Sequence, residues 1–156
     1  MPASTDWRRN MRALRTEIGA DSLMLEPARY SVRMLASQGQ AAWEYRFGYV
    51  ATSMRSQWPG APHATEIPYV FDTVKAKYGA ALSDEDAQIA KQANAYWSNF
   101  AKTGNPNGSG LPEWPQYQLT SDILMNFAMQ GAKAEPDPRK QQLDFTEHAA
   151  ERHRTH

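Results

Sequence analysis

The chain has 156 residues, with 17 Lys+Arg balanced by 17 Asp+Glu and no cysteine. Zero net charge excludes a surface built throughout to attract nucleic acid or an anionic membrane; the missing cysteines exclude a disulfide framework, a thiolate nucleophile and Cys-ligated metal. Leu, Ile, Val and Phe number only 22 in total; without high net charge this low share does not signal disorder, and 5 Trp, 7 Tyr and 7 Met add large apolar areas.

The first element is a helix. Trp7, Met11, Leu14 and Ile18 recur on one face. Thr5 or Asp6 can cap its start, and Gly19 is a suitable stop. Arg8, Arg9, Arg12 and Arg15 make it basic, a pattern that can bind membranes or nucleic acid, although a solvated face over a buried stripe is the simpler expectation. The opening MPASTDWRRNMRALR places charges where a signal peptide needs its apolar segment. No apolar run reaches the roughly 18 residues needed for a membrane span, so a soluble chain of unassigned compartment is expected.

A second helix is predicted from Glu26 to Gln38, with Pro27 in its first turn and Gly39 after its end. Trp43, Tyr45, Phe47 and Tyr49 then alternate with Glu44, Arg46, Gly48 and Val50, the period of a strand. A helix followed by such a strand is half of an α/β repeat. The stretch SQWPGAPHATEIP is loop, and Ser83 with Asp86 fits the capping box of the best helix in the chain. Ile89, Ala93, Trp97 and Phe100 give that helix its buried stripe, and Gly104 ends it. Ile123 to Phe127 reads as a short strand. From Gly131 onward the chain is polar, and loose order or one short helix near Leu143 is expected.

The chemistry-bearing motifs are few. G-x-S-x-G is absent, as are a phosphate-binding glycine loop, H-E-x-x-H and an EF-hand pattern. His148, His153 and His156 are spaced five and three apart in the polar tail and read as solvated. His63 differs, because it lies in a loop beyond the aromatic strand, where α/β folds collect reactive groups. Glu66 follows three residues later, a conceivable metal pair, but two ligands do not make a site. Residues alone leave His63 a candidate without a partner.

The run YRFGYVATSMRSQWPGAPHATEIPYVF resembles the catalytic-histidine region of type B carboxylesterases, the cholinesterase-like branch of the α/β-hydrolases. Gly60, Ala61, His63, Glu66, Ile67, Pro68, Tyr69, Val70 and Phe71 fit that family's G-A-x-H-G-x-E-I/L-P-Y-V-F loop. Farther on, Trp97, Phe100, Ala101, Gly104, Pro106, Asn107, Trp114, Pro115 and Tyr117 fit its W-x-x-F-A-x-x-G-x-P-N…W-P-x-Y pattern. The resemblance covers about Leu25 to Phe127.

The resemblance implies the C-terminal part of an α/β-hydrolase fold, with helices around one or two remaining strands and incomplete as a standalone domain. Residues 1–130 would be that segment and 131–156 a polar tail. His63 matches the family's general acid/base histidine, and Glu66 a glutamate that supports the loop. Ala64 stands where the family commonly has glycine. The nucleophile, acid and oxyanion loop belong to preceding parts of the fold, so the chain is expected to be inactive alone. A small-molecule ester is the implied substrate and the missing N-terminal part of the hydrolase the implied partner. No cofactor, metal, nucleic acid or membrane span is implied. The alternatives are one half of a split esterase and a degenerate, non-catalytic binding domain. As a C-terminal piece of a larger sheet, the chain is expected to leave Trp43, Tyr45, Phe47 and Tyr49 exposed, which favours association.

Overall fold

The computed structural model describes residues 6–154, with side chains described at position 11 and from 14 to 152. The chain forms two units. One comprises Met1–Ala42, Tyr117–Asp122 and Asp137–His156; the other comprises Trp43–Gln116 and Ile123–Pro136.

The first unit is helical. Helix α1 (Asp6–Ala20) passes through a π-helical segment (Asp21–Leu25) directly into α2 (Glu26–Ser37). Gly19 therefore does not stop the helix as its residue type suggests. A glycine ends a helix when it takes positive φ, as Gly39 does at +72°; Gly19 stays within the helical run. Met11, Leu14 and Ile18 are exposed, which corrects the expectation of a buried stripe, while the side chain of Trp7 lies outside the described residues.

Of the loose order or one short helix near Leu143 expected beyond Gly131, the structure has the helix, α6 (Lys140–Arg154), longer than expected. Leu143 is its buried apolar anchor, and ion pairs hold the rest. Arg29, almost fully buried, donates from Nη1 to Asp144 at 2.8 Å and from Nη2 to Glu147 at 2.8 Å. Arg33 reaches the same Glu147 at 2.7 Å. Arg139, just before α6, grips Asp21 of the π segment through Nε at 2.8 Å and Nη2 at 2.6 Å. Such planar, bidentate pairs combine charge with fixed geometry. The small apolar core beneath them holds Val32, Ala42 and Tyr117.

The second unit contains a three-stranded sheet in the order β1 (Tyr45–Phe47), β2 (Ile123–Ala128), β3 (Gly131–Pro136). β1 runs parallel to β2, with Arg46 opposite Asn126, and β2 pairs antiparallel with β3 through a tight hairpin. The expectation of one or two strands is thus corrected to three. β3 escapes periodicity because GAKAEP is a polar edge strand with no apolar alternation; its place is set by the buried β2 beside it and by Asn126 Nδ2 donating to Glu135 at 2.7 Å.

Helix α5 (Asp84–Thr103) lies against this sheet. Two short helices, α3 (Ile67–Val70) and α4 (Val74–Tyr78), precede it. Its start is the predicted capping box: Ser83 Oγ accepts from the Asp86 N–H at 3.1 Å, and Asp86 Oδ2 accepts from the Ser83 N–H at 3.0 Å. Its end is Gly104 at φ +74°. Ile89, Ala90, Ala93 and Tyr96 are buried, so the inward face is turned toward Tyr96, and Phe100 of the predicted stripe lies exposed beside Trp43 at 5.8 Å between ring centroids.

The strand is shorter than the alternation of residues 43–50 suggests, so of the four aromatics Tyr45 and Phe47 lie in β1 and Trp43 and Tyr49 flank it. Tyr45 packs edge-on to Trp97 at 4.8 Å, Phe47 meets Phe127 at 5.9 Å, and Tyr49 meets Tyr69 at 5.6 Å. Tyr49 is fully buried, Trp43 and Phe47 are half-buried, and only Tyr45 reaches the exposed range. The expected open aromatic sheet is largely covered by α5 and the loop that follows β1.

Candidate active-site histidine loop

The path to His63 begins at the carboxyl end of β1. Tyr49, Val50 and Ala51 continue into the core, and a 3₁₀ turn (Thr52–Met54) swings the chain outward. That exit is pinned by the fully buried Asp86. Its Oδ1 accepts from the Tyr49 hydroxyl at 2.8 Å and the Thr52 N–H at 3.0 Å. Arg55 lies over the Tyr49 ring at 5.6 Å and pairs with Glu85 at 2.7 Å. The capping-box acid therefore also ties the base of the histidine loop to the start of α5.

Burial alone would raise the Asp86 carboxyl. The bonds donated by Thr52, Ser83 and Tyr49 outweigh it and hold the group below its ordinary value. The same arrangement raises the Tyr49 hydroxyl, through burial first and the adjacent Asp86 second.

His63 itself is exposed, in a turn over residues 63–66. Thr65 beneath it is buried; its hydroxyl donates to the Pro62 carbonyl at 2.7 Å and its N–H to the same oxygen at 3.3 Å. The Glu66 carbonyl accepts from the N–H groups of Tyr69 and Val70, which opens the short helix α3. Pro68 and Tyr69 are buried, and Asn94 of α5 donates to the Val70 carbonyl at 2.8 Å. Burial first, and the Glu66 carboxylate second, raise the Tyr45 hydroxyl on β1. His63 thus projects from a turn whose neighbours are anchored on both sides, while its own imidazole stays open.

Ala64 has φ +67°. This is the left-handed region, which costs a residue with a Cβ about 1–2 kcal/mol. Glycine escapes that cost and gives part of it back as chain entropy. Ala64→Gly should therefore stabilise the chain by up to about 1 kcal/mol, read as a higher urea midpoint. An unchanged or lower midpoint would mean that the turn is not strained at this residue.

The second motif is architectural. Asn107 clamps Trp114, accepting from its N–H at 2.7 Å and donating to its carbonyl at 2.8 Å. The Trp114 indole then donates to the Glu44 carbonyl at 3.0 Å, supporting the entry to β1. The remaining candidates stay apart from His63 in role: His148 lies on α6 with Nδ1 2.7 Å from the Asp144 carbonyl, and the side chains of His153 and His156 lie outside the described residues. Among the described residues, no group of three or more His, Asp or Glu is arranged to hold a metal, and no helix is long and apolar enough to cross a membrane.

Residue order alone does not reveal Asp86 as the anchor of the loop, Asn94 as its far support or the strain at Ala64. Only the last leaves a trace, as an alanine where the resembling loops have glycine.

Residues 3–146 match the model of the carboxylesterase family. The chain is similar to carboxylesterase 1C of Mus musculus, 38% identical over 101 residues, which are 63% of this chain and 18% of that protein. It is 35% identical to carboxylesterase 1C of Rattus norvegicus over 123 residues, 77% of this chain and 22% of the relative. With cocaine esterase of Homo sapiens it shares 31% identity over 111 residues, 69% of this chain and 20% of that protein. The chain spans about a fifth of the length of the curated relatives it matches.

Proposed function

Because the chain belongs to the carboxylesterase family, we propose that it is the C-terminal portion of a serine carboxylic-ester hydrolase and contributes the general acid/base, His63. The observation that carries this reading is the loop itself. It leaves the carboxyl end of β1, is anchored by Asp86, Thr65 and Asn94, and presents an exposed imidazole. An imidazole nitrogen can accept a proton and give it back, as a group with this double duty must.

In the assembled site a serine hydroxyl attacks the ester carbonyl carbon while His63 takes its proton. The tetrahedral intermediate collapses by breaking the bond to the alcohol oxygen, and His63 returns the proton to that alkoxide. Water then repeats the sequence on the acyl-enzyme, with His63 again as base. Glu66 supports the turn through its backbone. Serine, acid and oxyanion donors come from another segment, since these 156 residues contain no G-x-S-x-G.

The test is turnover of a chromogenic short-chain ester. The chain alone should be inactive. Mixed with a family polypeptide that carries the serine and acid but ends before the histidine loop, it should restore hydrolysis. Full activity of the isolated chain would overturn the reading, and so would a correctly assembled mixture with no turnover.

A further inference from the structure

Beside the start of β1 the second unit holds a cavity of about 150 Å³ that the esterase reading leaves unused. Six aromatic rings line it, those of Trp43, Tyr45, Tyr96, Trp97, Phe100 and Trp114, together with one proline. Several of these rings meet edge-on: Trp43 with Phe100 at 5.8 Å and 74°, Tyr45 with Trp97 at 4.8 Å and 82°, and Tyr96 with Trp114 at 5.3 Å and 87°. An edge-on pair covers only one of its ring faces, so flat apolar space remains between them. Tyr45 and Phe100 are 40% and 49% exposed, which opens the cavity to solvent on their side.

The size of the cavity and its polar groups determine what fits. A dry apolar cavity of about 150 Å³ admits benzene, so a single aromatic ring is the scale of the occupant. Two of the polar groups carried by the rings are already engaged. The Trp114 indole donates to the Glu44 carbonyl at 3.0 Å, and the Tyr96 hydroxyl to the Pro112 carbonyl at 2.6 Å. The Trp43 indole N–H is different: it is buried and has no partner among the described residues. A buried donor left unpaired is costly, and an indole nitrogen can only donate. The occupant therefore supplies an acceptor. A cation would meet the positive end of that N–H. No charged side chain lines the cavity, so any ion entering it would lose its water without gaining a counter-charge.

We propose that this cavity binds a small neutral aryl carbonyl compound, its ring among Trp97, Phe100 and Trp114 and its carbonyl oxygen accepting from the Trp43 Nε1–H. The lining residues all belong to one unit. Binding requires neither His63 nor the proposed ester chemistry.

Heteronuclear NMR of the indole N–H groups in the nitrogen-labelled full chain tests it with two probes. Acetophenone has a ring and a carbonyl; toluene has the ring alone. The expected result is saturable binding of acetophenone in the millimolar range or below, with the Trp43 N–H proton moving downfield. Toluene should enter without that downfield move. In Trp43→Phe the preference for acetophenone over toluene should fall about 3–10-fold, the worth of one neutral hydrogen bond. Phe100→Ala, which removes an exposed wall, should weaken both probes several-fold. Far-UV circular dichroism checks that each variant folds. Should Trp43→Phe unfold, the Trp43 resonance of the parent and the Phe100→Ala variant still decide.

A chain that shows no saturable binding of acetophenone overturns the proposal. So does a Trp43 resonance that answers both probes alike, a preference unchanged in Trp43→Phe, or binding that Phe100→Ala leaves intact. Loss of acetophenone binding on mixing with the serine-bearing family polypeptide would assign the cavity to contact with that chain and would also overturn it.

Discussion

Asp86→Ala is expected to destabilise the second unit by about 3–5 kcal/mol, the sum of losing two or three buried bonds whose donors are left unpaired at ~1–3 kcal/mol each. Asp86 is fully buried and accepts from Tyr49, Thr52 and Ser83. Its removal strands the buried Tyr49 hydroxyl and the Thr52 amide, and also deletes one half of the α5 cap. Urea unfolding followed by tryptophan fluorescence measures the loss. A drop below about 1 kcal/mol would mean that Asp86 caps α5 and does no more.

The pH dependence has a defined sign. The Asp86 carboxyl is held below its ordinary value in the folded chain, against the opposing effect of burial. Its stabilisation is therefore complete above an unfolded-state pKa of about 4 and is lost as pH falls through the lower folded value. In the first unit Asp144 behaves alike: burial raises it, and Lys140 and Arg29 outweigh that and lower it. Stability should fall with acid below about pH 4, and Asp86→Asn should flatten part of that slope.

His63→Ala, placed in the assembled esterase, should lower kcat by about 10⁴–10⁶-fold with KM little changed, because proton transfer is needed in the transition state and not for binding. The side chain is exposed, so the substitution should leave stability within about 0.5 kcal/mol of the parent. The two readouts separate catalysis from folding: Asp86→Ala acts on stability first, and His63→Ala on turnover alone. Glu66→Gln should fall well short of the His63 effect, since Glu66 is assigned to support of the turn. A loss as large as that of His63→Ala would make Glu66 a member of the proton-transfer machinery.

What can be read from the residues depends on how local the cause is. The Ser83–Asp86 cap spans three positions and is visible in the sequence; the bond from Asp86 to Tyr49 spans 37 and is not. Gly39 and Gly104 stop helices and Gly19 does not, because a stop needs positive φ and residue type only permits it. Periodicity identifies α1 and its stripe correctly but does not say whether anything covers that stripe. Helix α6 is legible only as a short helix near Leu143; its full length is not, because its other anchors are Arg29 and Arg33 more than 110 residues away, and ion pairs leave no apolar pattern. β3 is invisible because a polar edge strand borrows its order from its neighbour. For His63, physics alone yields an isolated imidazole in a loop; the resemblance suggests the role proposed for it, and the geometry shows how its loop is held.

The central claim, that this chain brings the proton-transfer histidine to a serine that lies elsewhere, is tested most directly with a fluorophosphonate probe. The probe reacts only with an activated serine. The expected result is no labelling of this chain alone, and labelling of the serine-bearing family polypeptide that is rapid with the parent chain and lost with His63→Ala. Stoichiometric labelling of a serine within these 156 residues would contradict the claim, as would rapid labelling that His63→Ala leaves unchanged.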